Sequence, residues 1–220
     1  MSELHTACEN GDVELAIILM EKEDVNKKDD ENETPLFKAC RWGNYAIVEK
    51  LLEHGANVND RNSELSSPLY SACCYYYIVE LLLKHGAHVN VKNVHGITPL
   101  QHACVLGEYD VVKLLLEHNA DANEADNIGF LPLHAGCFYG RIDIVELLLM
   151  HKADYNKETD YVALPIHIAC KYGTSSIVRL FIKYGMNVKE TKHVLYVACK
   201  YGHYDIVELL LANGVGTEQS

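Results

Sequence analysis

The sequence predicts an all-α solenoid of stacked helix-turn-helix units joined by hairpin-like loops. Three observations carry this. The five prolines (Pro35, Pro68, Pro99, Pro132 and Pro165) are spaced 33, 31, 33 and 33 residues apart, so all occupy one phase of a repeat. A glycine follows eight residues later at Gly43, Gly107, Gly140 and Gly173, with Gly11 and Gly202 in register. Beyond it, a β-branched pair (Ile47-Val48, Ile144-Val145, Ile206-Val207) precedes a Leu-rich pair at helical spacing.

Each unit follows from those markers. Proline suits the first helical turn, where no N–H is needed, and Thr34, Ser67 and Thr98 stand before it as N-caps. The glycine ends the first helix in the left-handed conformation. The second helix shows one apolar face, and segments such as "HGANVNDRN" lead on to the next copy. Two copies lack the proline, "ELHTACENGDVELAIILM" at the start and "VLYVACKYGHYDIVELLLANG" from Val194. Seven repeats result, over about 1–27, 28–60, 61–91, 92–124, 125–157, 158–189 and 190–220, forming a single domain, 1–220. No such helix pair buries its apolar face alone, so neighbours must stack.

Two copies are irregular. "SACCYYYIVELLL" is two residues short between Ala72 and Ile78. The simplest alignment removes the turn glycine and its successor, matching Tyr75 to Trp42 and Tyr76 to Tyr45. Tyr77 then stands where other copies hold Asp110, Asp143 or Asp205. Because tyrosine does not readily take the left-handed turn conformation, one outcome is that the first helix unwinds by about a turn near Cys74, tipping Tyr75 and Tyr77 outward; the other is a neutral loop deletion. Pro165 to Val194 spans only 29 residues, so "GMNVKETKHV" should form a blunt connection.

The pattern resembles the ankyrin repeat, whose T-P-L-H signature appears in full or in part at Thr34, Thr98, Leu131 and Leu164. The resemblance covers about residues 2 to 215. It implies a non-catalytic module that binds a protein or peptide in a concave groove lined by first-helix ends and hairpin tips. At the first-helix ends this points to Arg41, Trp42, Tyr75, Val105 and Leu106 in the earlier repeats. In the later repeats it points to Phe138, Tyr139, Lys171, Tyr172, Lys200 and Tyr201. The hairpins add Ile97, Phe130 and Tyr161. A partner with a hydrophobic anchor and an acidic group would suit these residues. The rival reading is an architectural segment of a larger chain, since "DIVELLLANG" looks like an internal repeat rather than a polar cap.

Other chemistry finds little footing. A net charge of −12 argues against a nucleic-acid partner. No stretch approaches the roughly 20 apolar residues of a membrane span. There is no phosphate-gripping glycine loop, nucleophile elbow or paired-carboxylate motif, and the expectation is no enzyme, no cofactor and a monomer. Seven cysteines (Cys8, Cys40, Cys73, Cys104, Cys137, Cys170 and Cys199) share one repeat position after a small residue. Packed helices lie about 10 Å apart, whereas a disulfide needs Cα atoms within about 7 Å. The seven therefore read as buried thiols of a reducing compartment, cytoplasm first and nucleus second, with Cys74 the exposed one. His5, His134 and His167, each three residues before a cysteine, would need further ligands to hold a metal. The resemblance implies instead that their imidazoles bond loop backbone. His54, His85, His118 and His151 fall at second-helix ends, where the helix dipole suits them.

Overall fold

A computed structural model of the chain describes residues 2–157 and 163–216. It divides into two compact units, Met1–Asp121 and Ala122–Ser220. In the first unit the helices pair as α1 (Glu3–Asn10) with α2 (Val13–Met20), α3 (Pro35–Arg41) with α4 (Tyr45–Glu53), α5 (Pro68–Ser71) with α6 (Tyr76–Lys84), and α7 (Pro99–Leu106) with α8 (Tyr109–Glu117). The second holds α9 (Pro132–Phe138) with α10 (Ile142–Met150), α11 (Pro165–Tyr172) with α12 (Ser175–Lys183), and α13 (Val194–Tyr201) with α14 (Tyr204–Ala212). Every described regular element is a helix, as expected.

The caps are those read from the sequence. Thr34, Ser67 and Thr98 each accept a hydrogen bond from the backbone N–H three residues on, at 3.2 Å. Within each unit, first helices stack on first helices and second on second. The β-branched and leucine faces close the core: Leu36, Ile47, Leu51, Leu69, Ile78 and Leu82 in the first unit, Leu133, Ile144, Leu148, Ile166 and Ile177 in the second. Each fully buried leucine or isoleucine contributes roughly 1.5–3 kcal/mol.

The loops are ordered by a device that the sequence reading passed over. Asp29, Asn62, Asn93 and Asp126 share one repeat position, and each accepts with Oδ1 from the N–H four residues on, at 2.8–3.0 Å. The backbone closes the same turn, as in Asp29 N–H to the Glu33 carbonyl at 3.0 Å. A second row ties repeats together. Asn26, Asn59 and Asn90 in the first unit, and Asn123 in the second, donate to a carbonyl after the next second helix. The same amides accept from an N–H two residues beyond it. These bonds lie at the exposed edge of the stack and pin each loop to the next.

Both irregular copies behave largely as expected, with one correction. α5 has only four residues, and Ala72, Cys73 and Cys74 form a turn closed by the Tyr75 N–H on the Ala72 carbonyl at 2.8 Å. No residue of that turn has positive φ. Tyr75, however, does not take the place of Trp42. It is the residue before α6, as Asn44 is before α4, and its ring lies over Gly43 of the preceding repeat. A Cβ on Gly43 would sit 2.5 Å from that ring. Asn44 and His203 make the equivalent reach in their own repeats, bonding the Cys8 carbonyl at 2.7 Å and the Lys171 carbonyl at 3.0 Å. Two of the three residues 41 to 43 therefore have no counterpart in the third repeat, and Cys74 alone spans the gap. The blunt connection is also present. Ten residues join α12 to α13, against fourteen between α4 and α5, and His193 takes the left-handed conformation at φ 64°.

The thiols follow the ladder with one exception. Cys8, Cys40, Cys73, Cys104, Cys137 and Cys170 are fully buried, and all eight cysteines are free. Cys199 is exposed, contrary to expectation, because no further helix pair among the described residues packs over α13. Cys74 is exposed as expected.

Candidate protein-binding surface

The turn after each first helix leaves the preceding one or two side chains pointing away from the core. In the second unit these side chains meet. Phe138, at the end of α9, is 43% exposed, and its ring lies edge-on to Tyr139 at 5.0 Å and to Tyr172 at 4.9 Å. The Lys171 ammonium stands 5.3 Å from the Tyr172 ring centre and 5.8 Å from that of Tyr201. Lys200 adds a second cation 5.7 Å from Tyr201 and 5.9 Å from Tyr196. The result is a continuous exposed strip of alternating rings and ammonium groups. Neither lysine has an ion-pair partner among the described residues. Tyr196, exposed at the outer edge of the strip, was not picked out from the sequence. The signal was its place four residues before Lys200, on the same helix face.

The first unit brings its expected residues together less well. Trp42 is exposed. Arg41 is engaged internally: its guanidinium pairs with the buried Glu33 carboxylate and lies 5.0 Å from the Phe37 ring. Glu33 also pairs with the buried Lys38 at 2.8 Å, and Lys38 with Asp29 at 3.3 Å. Burial pulls the Lys38 ammonium down, but the hydrogen bonds and charges of Glu33 and Asp29 outweigh it and leave its pKa raised. This network fixes the 29–33 loop against α3. Tyr75 spends much of its ring on Gly43, while Ile97, Val105 and Leu106 are half-buried. In the second unit, half-buried Phe130 stacks on His134 at 5.2 Å, so that ring has a packing role. Tyr161 lies outside the described residues.

The histidine and cysteine rows stay structural. His5, His134 and His167 bond the carbonyls of Glu33, Ala163 and Lys192 at 2.7–3.0 Å. In His134 the Nδ1 accepts from the Leu131 N–H at 2.9 Å, so Nε2 carries the proton. Burial lowers its pKa to about 4. His54, His85 and His118 bond the carbonyl four residues back at 2.8–2.9 Å, capping their helices. Burial pushes the Cys8 and Cys170 thiols up to about 12, and burial with the charge of Glu108 also raises that of Cys74. Such thiols are poor nucleophiles. No group of three or more metal-ligating side chains occurs among the described residues, and no helix there is long and apolar enough to cross a membrane.

Comparison with known proteins agrees with the helix-pair repeat fold. The family model for ankyrin repeats matches in three copies, over residues 4–93, 72–159 and 162–219. The crystal structure of the human ASB11 ankyrin repeat domain superposes with a TM-score of 0.85 at 28% identity, covering 97% of this chain and 98% of that one. Among curated proteins, human BCL-6 corepressor-like protein 1 is 41% identical over 61 residues, or 28% of this chain and 3% of its own length. Human SMC5-SMC6 complex localization factor protein 1 is 40% identical over 58 residues, or 26% of this chain and 6% of its own length. The chain thus matches only a small part of these curated relatives. It belongs to the ankyrin repeat family, whose fold is that of a non-catalytic protein-interaction module.

Proposed function

We propose that the chain binds a partner protein or peptide through the first-helix ends of its second unit. The observation that supports this is the exposed strip Phe138–Tyr139–Tyr172–Lys171–Tyr201–Lys200. Contiguous large rings on a solvent-facing surface are what contact sites are made of. The two unpaired ammonium groups favour a partner segment with an apolar anchor beside a carboxylate. Arg41 and Tyr75, committed to Glu33 and Gly43, are peripheral to this reading. Trp42, Ile97, Val105 and Leu106 would offer a lesser apolar contact on the first unit.

The test is the double variant Tyr139→Ala, Tyr172→Ala, with partner affinity and unfolding measured side by side. Affinity should fall by about 2 kcal/mol or more, as for hot-spot aromatics, with folding retained. A variant that unfolds while its folded fraction binds normally would assign the strip to packing. A second reading, an architectural segment of a larger protein, is favoured by the exposed apolar side chains of Ile18 on α2 and Leu211 on α14. That reading expects the double variant to bind as the parent does.

A further inference from the structure

A different surface stands out on the second-helix face of the first unit. Between α6 and α8 lies an open cleft of about 370 Å³, lined by Tyr76, Tyr77, Asp110, Lys113, Leu114 and Glu117. Leu114 is almost wholly buried, whereas Tyr77 is 71% exposed and meets Tyr76 edge-to-face at 5.4 Å. No packing need accounts for Tyr77. The same position holds Glu14, Ala46, Asp110, Asp143, Ser176 and Asp205 in the other six repeats, and none is aromatic. An acidic residue in that first turn would favour the helix dipole, so the tyrosine forgoes a stabilising contact and shows a large ring to water.

We propose that this cleft binds an arginine side chain of a partner protein. Two adjoining rings offer π faces on which a planar guanidinium stacks, and Asp110 and Glu117 offer carboxylates that match its fork of N–H donors. Lys113 lies between them in sequence, three residues after Asp110 and four before Glu117. Two carboxylates and one ammonium leave the cleft with net negative charge. The unit around it has the same sign more strongly: residues 1–121 carry twenty Asp and Glu against ten Lys and Arg, a net of −10. Residues 122–220 carry eleven against nine, a net of −2. A cationic partner segment is therefore drawn to the first unit, and the proposal stands apart from the strip on the second.

The experiment titrates the whole chain with acetyl-Ala-Arg-Ala-amide, using its citrulline counterpart as the neutral control of the same shape, and reads backbone NMR shifts. The arginine peptide should perturb Tyr76, Tyr77 and Lys113, with affinity about fivefold or more above that of the citrulline peptide. Tyr77→Ser, which copies Ser176, removes the ring without adding charge and should weaken that preference while holding the thermal midpoint. Tyr77→Ala, after Ala46, serves in its place should the serine variant fold poorly. Tyr139→Ala with Tyr172→Ala should leave the response unchanged. Equal binding of the two peptides would overturn the proposal, as would shifts confined to other surfaces or an undiminished response in folded Tyr77 variants.

Discussion

The His134 imidazole shows how one buried side chain acquires a pH signature. Both ring nitrogens are committed to backbone, Nδ1 accepting from Leu131 and Nε2 donating to the Ala163 carbonyl. Protonation of Nδ1 would set one donor against another. Burial drives the pKa down to about 4, while the Ala163 bond and the Asp126 charge pull weakly upward. In the unfolded chain the ring titrates near 6.5, so between about 6.5 and 4 the unfolded state binds the proton and the folded state does not. This contribution to stability is therefore full above pH 6.5, declines as pH falls, and levels off below about 4. The span corresponds to about 3 kcal/mol. His134→Gln, copying Gln101 of the fourth repeat, should flatten that part of the curve when urea unfolding is followed from pH 7 to 4. An unchanged slope would place the proton uptake on another group.

Among the elements, α5 is the one whose sequence and geometry diverge from its siblings. It is four residues long where α3 has seven, because Cys74 alone bridges from Cys73 to Tyr75. Without a residue to take the left-handed turn conformation, the helix ends early at Ala72, in the right-handed region, and a hydrogen-bonded turn follows. The shared place of Tyr75 and Asn44 locates the gap between Cys74 and Tyr75. Inserting Trp-Gly at that point should rebuild the last turn of α5 and add about 1 kcal/mol, the order of one restored helix cap. Urea unfolding of the insertion variant measures this. A loss of stability would show that the short turn is better packed than a regular helix end.

At the scale of the molecule, stability in such an array is a sum of repeat and interface terms, so the weakest connection opens first. That connection is 184–193. It is four residues shorter than its counterparts and strained at His193, and the helices beyond it leave Cys199, Tyr204 and Leu211 exposed. Amide hydrogens of α13 and α14 should exchange faster than those of α8 and α10, and uniform protection would contradict this. Much of the architecture was legible in the sequence. The helix pairs, caps, turn glycines, buried thiols and both irregular copies follow from a phased repeat, because local propensity and burial recur at fixed spacing. What the tertiary structure alone decided is how side chains from different repeats meet. It placed Tyr75 over Gly43 and exposed Cys199, and within single repeats it bound Arg41 to Glu33 and stacked Phe130 on His134. It also drew Phe138, Tyr172, Lys171 and Tyr201 into one strip, and opened a cleft below Tyr77. The contacts between repeats join residues about thirty positions apart, and depend on the offset between stacked helices, which the spacing of prolines and glycines does not encode.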